Sequence, residues 1–159
     1  MKLTNTHIYA QSIDAIYESC INEQFVKTKM ESLGARHIVV NIHKKGDNTT
    51  VEIVREMPIE VPFALKSIVK PWTKMTQIEV WKGEKSGPYY CNITIKVQGA
   101  PLSIQGQMKL AAHECGTAVV SITEIKSTIP FVGKILESFI GETSKKAIEQ
   151  EFEYIEKHV

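Results

Sequence analysis

Apolar residues recur along this chain with two periods, and the change of period divides it into regions. Thr4 to Ala10 reads as a short strand. The period then stretches to three or four. Ile13, Ile16, Tyr17 and Cys20 share a helical face behind Ser12, which can cap the first turn. Val26, Met30 and Leu33 do the same behind Asn22, and Gly34 supplies a stop because glycine tolerates a left-handed backbone. After these two short helices the period falls to two. Strands are expected at Arg36–Lys44, Thr50–Met57, Met75–Lys82, Tyr89–Val97, from Leu102 to Leu110, and at Thr117–Thr128, with turns at 45–48, 83–87, 99–101 and 113–116. A helical period returns over 131–158, enough for roughly 40 Å of helix.

Strict alternation means a strand with one dry and one wet face, the mark of an antiparallel sheet. Tyr89, Cys91, Ile93, Ile95 and Val97 point one way, while Tyr90, Asn92, Thr94 and Lys96 point the other. About seven such strands curl rather than lie flat, and the final helix is the obvious cover for the concave side. That helix carries two stripes. Val132, Ile135, Leu136, Phe139 and Ile140 form the first, continued by Thr143 and Ala147; Ile148, Phe152, Ile155 and Val159 form the second. At about 100° per residue the second is rotated away from the first, so one flat surface cannot receive both. A bend at Gly141, packing of the C-terminal half on another element, or a partner chain would each resolve this. Gly99, Gly106 and Gly116 are expected in turns or bulges.

One segment interrupts the strands. Pro58 to Trp72, PIEVPFALKSIVKPW, holds three prolines around a short helical pattern. Phe63, Leu65, Ile68, Val69 and Trp72 make it a candidate lid, and Lys66, Lys70 and Lys74 make it a candidate for transient membrane contact. A plug closing one end of the sheet is the simpler use of the same residues.

Composition narrows the class. The 159 residues suit one domain, 1–159, and 43% of them are hydrophobic, as in ordinary globular proteins. Nineteen basic residues against eighteen acidic ones leave a formal charge of +1, without the concentrated basic surface that nucleic acid requires. Cys20, Cys91 and Cys115 are an odd number with no paired spacing, which fits a reducing compartment. The first residues lack an apolar signal core, and no apolar run reaches the ~20 residues of a membrane span. A cytoplasmic protein, a monomer rather than a dimer, is expected. No cofactor motif is present. His7, His37, His43, His113 and His158 lack metal-site spacing, and no serine or cysteine sits in a nucleophile motif.

The order of strand, two short helices, six strands and long helix is that of the α+β helix-grip fold. IYAQSIDAIYESCINEQFVKTKMESLGA, the P-x-x-V-P segment, TQIEVW, VQGAPLSIQGQMKL and STIPFVGKILESFI together resemble a bacterial family of unknown function, domain of unknown function 2505. That family lies within the START and birch-pollen-allergen (SRPBCC) superfamily. The resemblance covers nearly the whole chain. It implies a curved antiparallel sheet wrapped around the C-terminal helix with a cavity between them, and it carries no catalytic residues.

The residues themselves fit either a hollow or a filled interior. Met30, Met57, Trp81, Tyr89, Met108 and Phe139 form a mixed inner face able to line a pocket for an apolar guest, and such residues also build solid cores. Cys91, Ile93, Ile104, Leu136 and Ile140 join them on patterning. Arg55 alternates with Val51, Ile53 and Met57, so it is expected to point inward. A buried guanidinium needs an acceptor. An anionic or hydroxyl group on a ligand, a pair with Glu79 or Glu124, and escape to water at the rim all satisfy that need. Three uses follow. The first is carriage of an apolar or amphipathic molecule, such as a lipid, sterol, quinone or polyketide. The second is cyclase or dehydratase chemistry on Glu79, Glu124 and Tyr89. The third is docking of a partner protein on the excursion or on the Phe152 stripe.

Overall fold

The chain enters at one edge of the sheet and must reach the opposite edge before the meander begins. In the computed structural model, which describes residues 1–159, β1 (Lys2–Tyr9) forms the first edge. Helices α1 (Ile13–Cys20) and α2 (Glu23–Ser32) then carry the chain across to β2 (Arg36–Lys45). From there β3 (Asn48–Pro58), β4 (Trp72–Lys82), β5 (Tyr89–Val97), β6 (Leu102–His113) and β7 (Gly116–Ser127) return strand by strand. The seven strands form one antiparallel sheet in the order β1-β7-β6-β5-β4-β3-β2. Helix α3 (Gly133–His158) follows. This is the expected α+β helix-grip architecture.

Local chemistry sets the boundaries. The Ala15 amide donates to Ser12 Oγ at 3.4 Å, and the Phe25 amide donates to Asn22 Oδ1 at 2.8 Å, so each short helix begins on a side-chain cap. Gly34 follows α2 with φ +86°, the left-handed conformation that ends a helix. Gly116 is required for a different reason: a Cβ there would collide with the Tyr9 carbonyl where β1 meets the β6–β7 turn.

Four expectations change. The final helix begins at Gly133, not 131, because Phe131 takes a left-handed φ of +64° and breaks the helical run. Strand β4 starts at Trp72, three residues early, so Trp72 leaves the excursion; the Arg36 guanidinium stacks 3.7 Å from its ring centroid. Gly106 sits mid-strand in an unbroken register between β5 and β7, so it makes neither a turn nor a bulge. Gly141 lies inside one continuous helix, and its missing side chain leaves room for the Met1 thioether.

Apart from Ile135, which is 56% exposed, the two rotated stripes of α3 pack within the chain. Leu136 and Ile140 are buried with Ile59, Leu65, Val69, Val97, Ile104 and Ile125 at one end of the sheet. Phe152 and Ile155 are buried with Tyr9, Ile13, Ile16, Val26, Met30 and Trp81 at the other. A curved sheet and the α1–α2 pair present surfaces in different directions, so a rotated pattern is what one helix needs to cover both. Phe152 stacks on His7 with centroids 4.8 Å apart, so Phe152 faces the chain's own interior. The hydrophobic core thus falls into a larger cluster and a smaller one, the smaller including Ile59, Leu65 and Val69 of the excursion.

Candidate ligand cavity

Between the two clusters lies a partly enclosed cavity of about 180 Å³ lined mostly by apolar side chains. Its origin is missing volume on both walls. On the sheet side, Gly106 occupies a central inward position where its neighbours on β6, Ile104 and Met108, carry large side chains. On the helix side, Thr143, Ser144 and Ala147 face the same space with small ones. Ile93, Ile95 and Met108 therefore stay only half-buried in the middle of the sheet. The walls draw on both clusters: Trp81 and Phe152 from one, Ile59 and Ile140 from the other.

A polar ladder runs along one side. Gln77, Glu79 and Trp81 alternate inward on β4, and Arg55 joins them from neighbouring β3. Arg55 Nη2 donates to Gln77 Oε1 at 2.9 Å, and Gln77 Nε2 donates to Glu79 Oε1 at 2.6 Å. The Trp81 indole donates to Glu79 Oε2 at 2.9 Å. Gln77 thus stands between the guanidinium and the carboxylate, and no direct Arg55–Glu79 pair forms. Arg55 is 7% exposed, yet its Nε and Nη1 have no partner. Burial pulls its pKa down, against the opposing pull of Glu151 and Glu79. Ser121 Oγ, on the β7 wall, is also without a partner.

A second charged pair crosses from α2 to α3. Lys29 Nζ lies 3.0 Å from Glu151 Oε2. Burial works against the Lys29 charge, but Glu151 and Glu79 outweigh it and raise the pKa above its usual value. Cys20 lines the cavity as an inert thiol: burial pushes its pKa up to about 12.

Arg55, Met57, Glu79, Trp81, Ile93, Ile104, Met108 and Ile140 line the cavity. Six other expected residues do not. Met30 and Cys91 are buried in the first cluster, and Leu136 in the second with Phe139 beside it. The Tyr89 hydroxyl turns away to donate to Asp14 Oδ1 at 2.6 Å, and its ring stacks on Tyr17. Glu124 is exposed on the other face of β7, 3.1 Å from Lys126. Glu79, Glu124 and Tyr89 are therefore not assembled as an acid–base set. In the excursion, Leu65 and Val69 are buried beneath α3 and Ile68 is half-buried, while Phe63 is 89% exposed.

Sequence reasoning missed Lys29, Gln77 and Glu151, although the signal was present. Lys29 completes the helical set Val26, Lys29, Met30, Leu33, and Glu151 completes Ile148, Glu151, Phe152, Ile155. Each charge takes an inward position in an otherwise apolar stripe. Gln77 shares its strand parity with Glu79 and Trp81.

The family described as "Protein of unknown function (DUF2505)" matches residues 4–159. The chain belongs to that family. No functionally curated protein matches the sequence. Among solved structures, the DUF2505 chain is similar to TTHA0849 from Thermus thermophilus, with a TM-score of 0.64 at 13% identity over 99% of this chain and 95% of that one. It is similar to the di-domain ARO/CYC StfQ from the steffimycin biosynthetic pathway, with a TM-score of 0.62 at 9% identity over 98% of this chain and 50% of that one. The third is Ara h 8.0201, with a TM-score of 0.59 at 10% identity over 98% and 97%. At these identities the likeness is one of fold, that of the START and birch-pollen-allergen superfamily. No helix is long and apolar enough to cross a membrane.

Proposed function

We propose that this DUF2505 protein binds a compact apolar or amphipathic small molecule in the space between sheet and helix. The observation that carries the reading is the division of the core into two clusters around a cavity of about 180 Å³. An unused gap of that kind costs stability, because its walls forgo the contacts that packing would supply. A guest recovers those contacts and removes its own apolar surface from water.

Volume limits the guest. An engineered apolar cavity of about 150 Å³ binds benzene, and sites for drug-sized ligands run to roughly 300–1,000 Å³. At about 180 Å³ this cavity suits one or two fused rings or a medium-length acyl chain, and a sterol exceeds it. Titration calorimetry with the neutral probe 2-naphthalenemethanol tests the reading. About a dozen heavy atoms at roughly 0.6 kcal/mol each place its Kd near 10 µM. Binding in that range, weakened by Ala147→Leu, is expected. No heat and no change of thermal midpoint at saturating probe would overturn the reading.

A further inference from the structure

Arg55 is a charged side chain of the cavity wall, and two of its three nitrogens have no hydrogen-bond partner. Its guanidinium has five N–H groups on three nitrogens. Gln77 accepts one from Nη2, while Nε and Nη1 have no acceptor among the protein's own groups. The two Nη2 hydrogens point to opposite sides of the plane's outer corner, one toward Nε and one toward Nη1. Whichever of them Gln77 takes, the other still forms a complete edge with its neighbouring nitrogen. Such an edge offers two parallel N–H groups, the arrangement that matches the two oxygens of a carboxylate.

The surroundings do not supply that acceptor. Both Glu79 oxygens are engaged, one by Gln77 and one by Trp81. Glu151 Oε2 is held by Lys29 on the α2 side, and neither Glu151 oxygen accepts from Arg55 Nε or Nη1. Met57 flanks Arg55 on β3 and Met75 opposes it on β4, and neither accepts from its Nε or Nη1. Burying donors without partners is costly.

We infer that the cavity is specific for a monoanionic ligand, an apolar body bearing one carboxylate, with that carboxylate seated on the free edge of Arg55. This rests on the cavity being a ligand site. Lysine at position 55 would keep the charge but lose the fork, and methionine would lose both while roughly conserving the stem. The acid's compact body would occupy the space beside Gly106 and Ala147.

The test compares four probes with one naphthalene body at pH 7: naphthalene, 2-naphthalenemethanol, 2-acetylnaphthalene and 2-naphthoate. Calorimetry on the wild-type protein should find 2-naphthoate bound about tenfold or more tightly than the alcohol and the ketone. Arg55→Met should erase that preference while the alcohol still binds, which also shows that the variant is folded. Arg55→Lys should keep only part of it. Equal affinities for acid, alcohol and ketone in the wild type would overturn the inference and leave the cavity reading intact. A ketone preferred over the acid would also overturn it, by making Arg55 a donor to a neutral carbonyl. Failure of all four probes would instead count against the cavity as a ligand site. The wild-type comparison needs no variant.

Discussion

Replacing Ala147 by leucine distinguishes a hollow interior from a filled one by the sign of a single free-energy change. Ala147 sits mid-helix on α3, half-buried, on the cavity wall. Alanine and leucine are both strong helix formers, so helix propensity contributes little. Leucine adds three carbons, worth about 0.8 kcal/mol each when buried, or about 2.4 kcal/mol at full burial. Ordering the longer side chain costs about 0.5–1 kcal/mol. Partial exposure at this position removes some of the rest. The expected net change is a stabilisation of about 1 kcal/mol, read as a higher urea midpoint at unchanged slope and a thermal midpoint raised by about 2–4 °C. In a close-packed core the same three carbons force side chains off their rotamers and destabilise by about 1–3 kcal/mol. A loss of stability in that range would refute the hollow interior, and weaker binding of 2-naphthalenemethanol should accompany the gain if it stands.

The Lys29–Glu151 pair should respond unequally to removal of its two members. Lys29 is 8% exposed and Glu151 25%, so Glu151→Gln strands a buried ammonium and should cost about 2 kcal/mol or more, while Lys29→Met leaves a carboxylate that can still reach water and should stay within about 1 kcal/mol; equal urea-midpoint shifts would contradict the assigned burial. Asp14 is held below its ordinary carboxylate range, first by the Tyr89 hydroxyl and then by the Ser86 amide. Its depressed folded-state pKa means stability present above the unfolded value and lost as pH falls through the folded one, so Asp14→Asn should flatten the acid limb of a thermal-midpoint profile, and an unchanged limb would mean that its hydrogen bonds to Tyr89 and Ser86 contribute nothing to stability. Leu136, fully buried in the second cluster, should cost about 2–5 kcal/mol on truncation to alanine, and a smaller cost in urea unfolding would mean that α3 is poorly anchored there.

Much of the molecule is legible in the sequence alone. Alternation from Val51 to Met57 and from Tyr89 to Val97 determines which faces of β3 and β5 are dry, because side chains on a strand have only two directions to choose from. Ser12 and Asn22 mark the helix starts because orphan amides need acceptors close in sequence. The rotated stripes of α3 show that its covered surface cannot be flat. Even the buried Lys29 and the half-buried Glu151 are written into helical periods.

Tertiary structure decided everything that depends on how far apart two inward-facing walls stand. Parity says that Gly106 and Ala147 point inward, but not that they face one common space, since that depends on sheet curvature and helix placement summed over many residues. Tyr89 and Met108 are both inward positions on adjacent strands by parity; only the packing of Tyr17 and Asp14 against Tyr89 draws it out of the cavity. Parity also places Arg55 inside, yet its unspent hydrogen bonds emerge only once Gln77, and not a glutamate, is found against Nη2. Periodicity specifies a direction for each side chain; volume and hydrogen-bond satisfaction belong to elements that are distant in sequence and meet only in the folded chain.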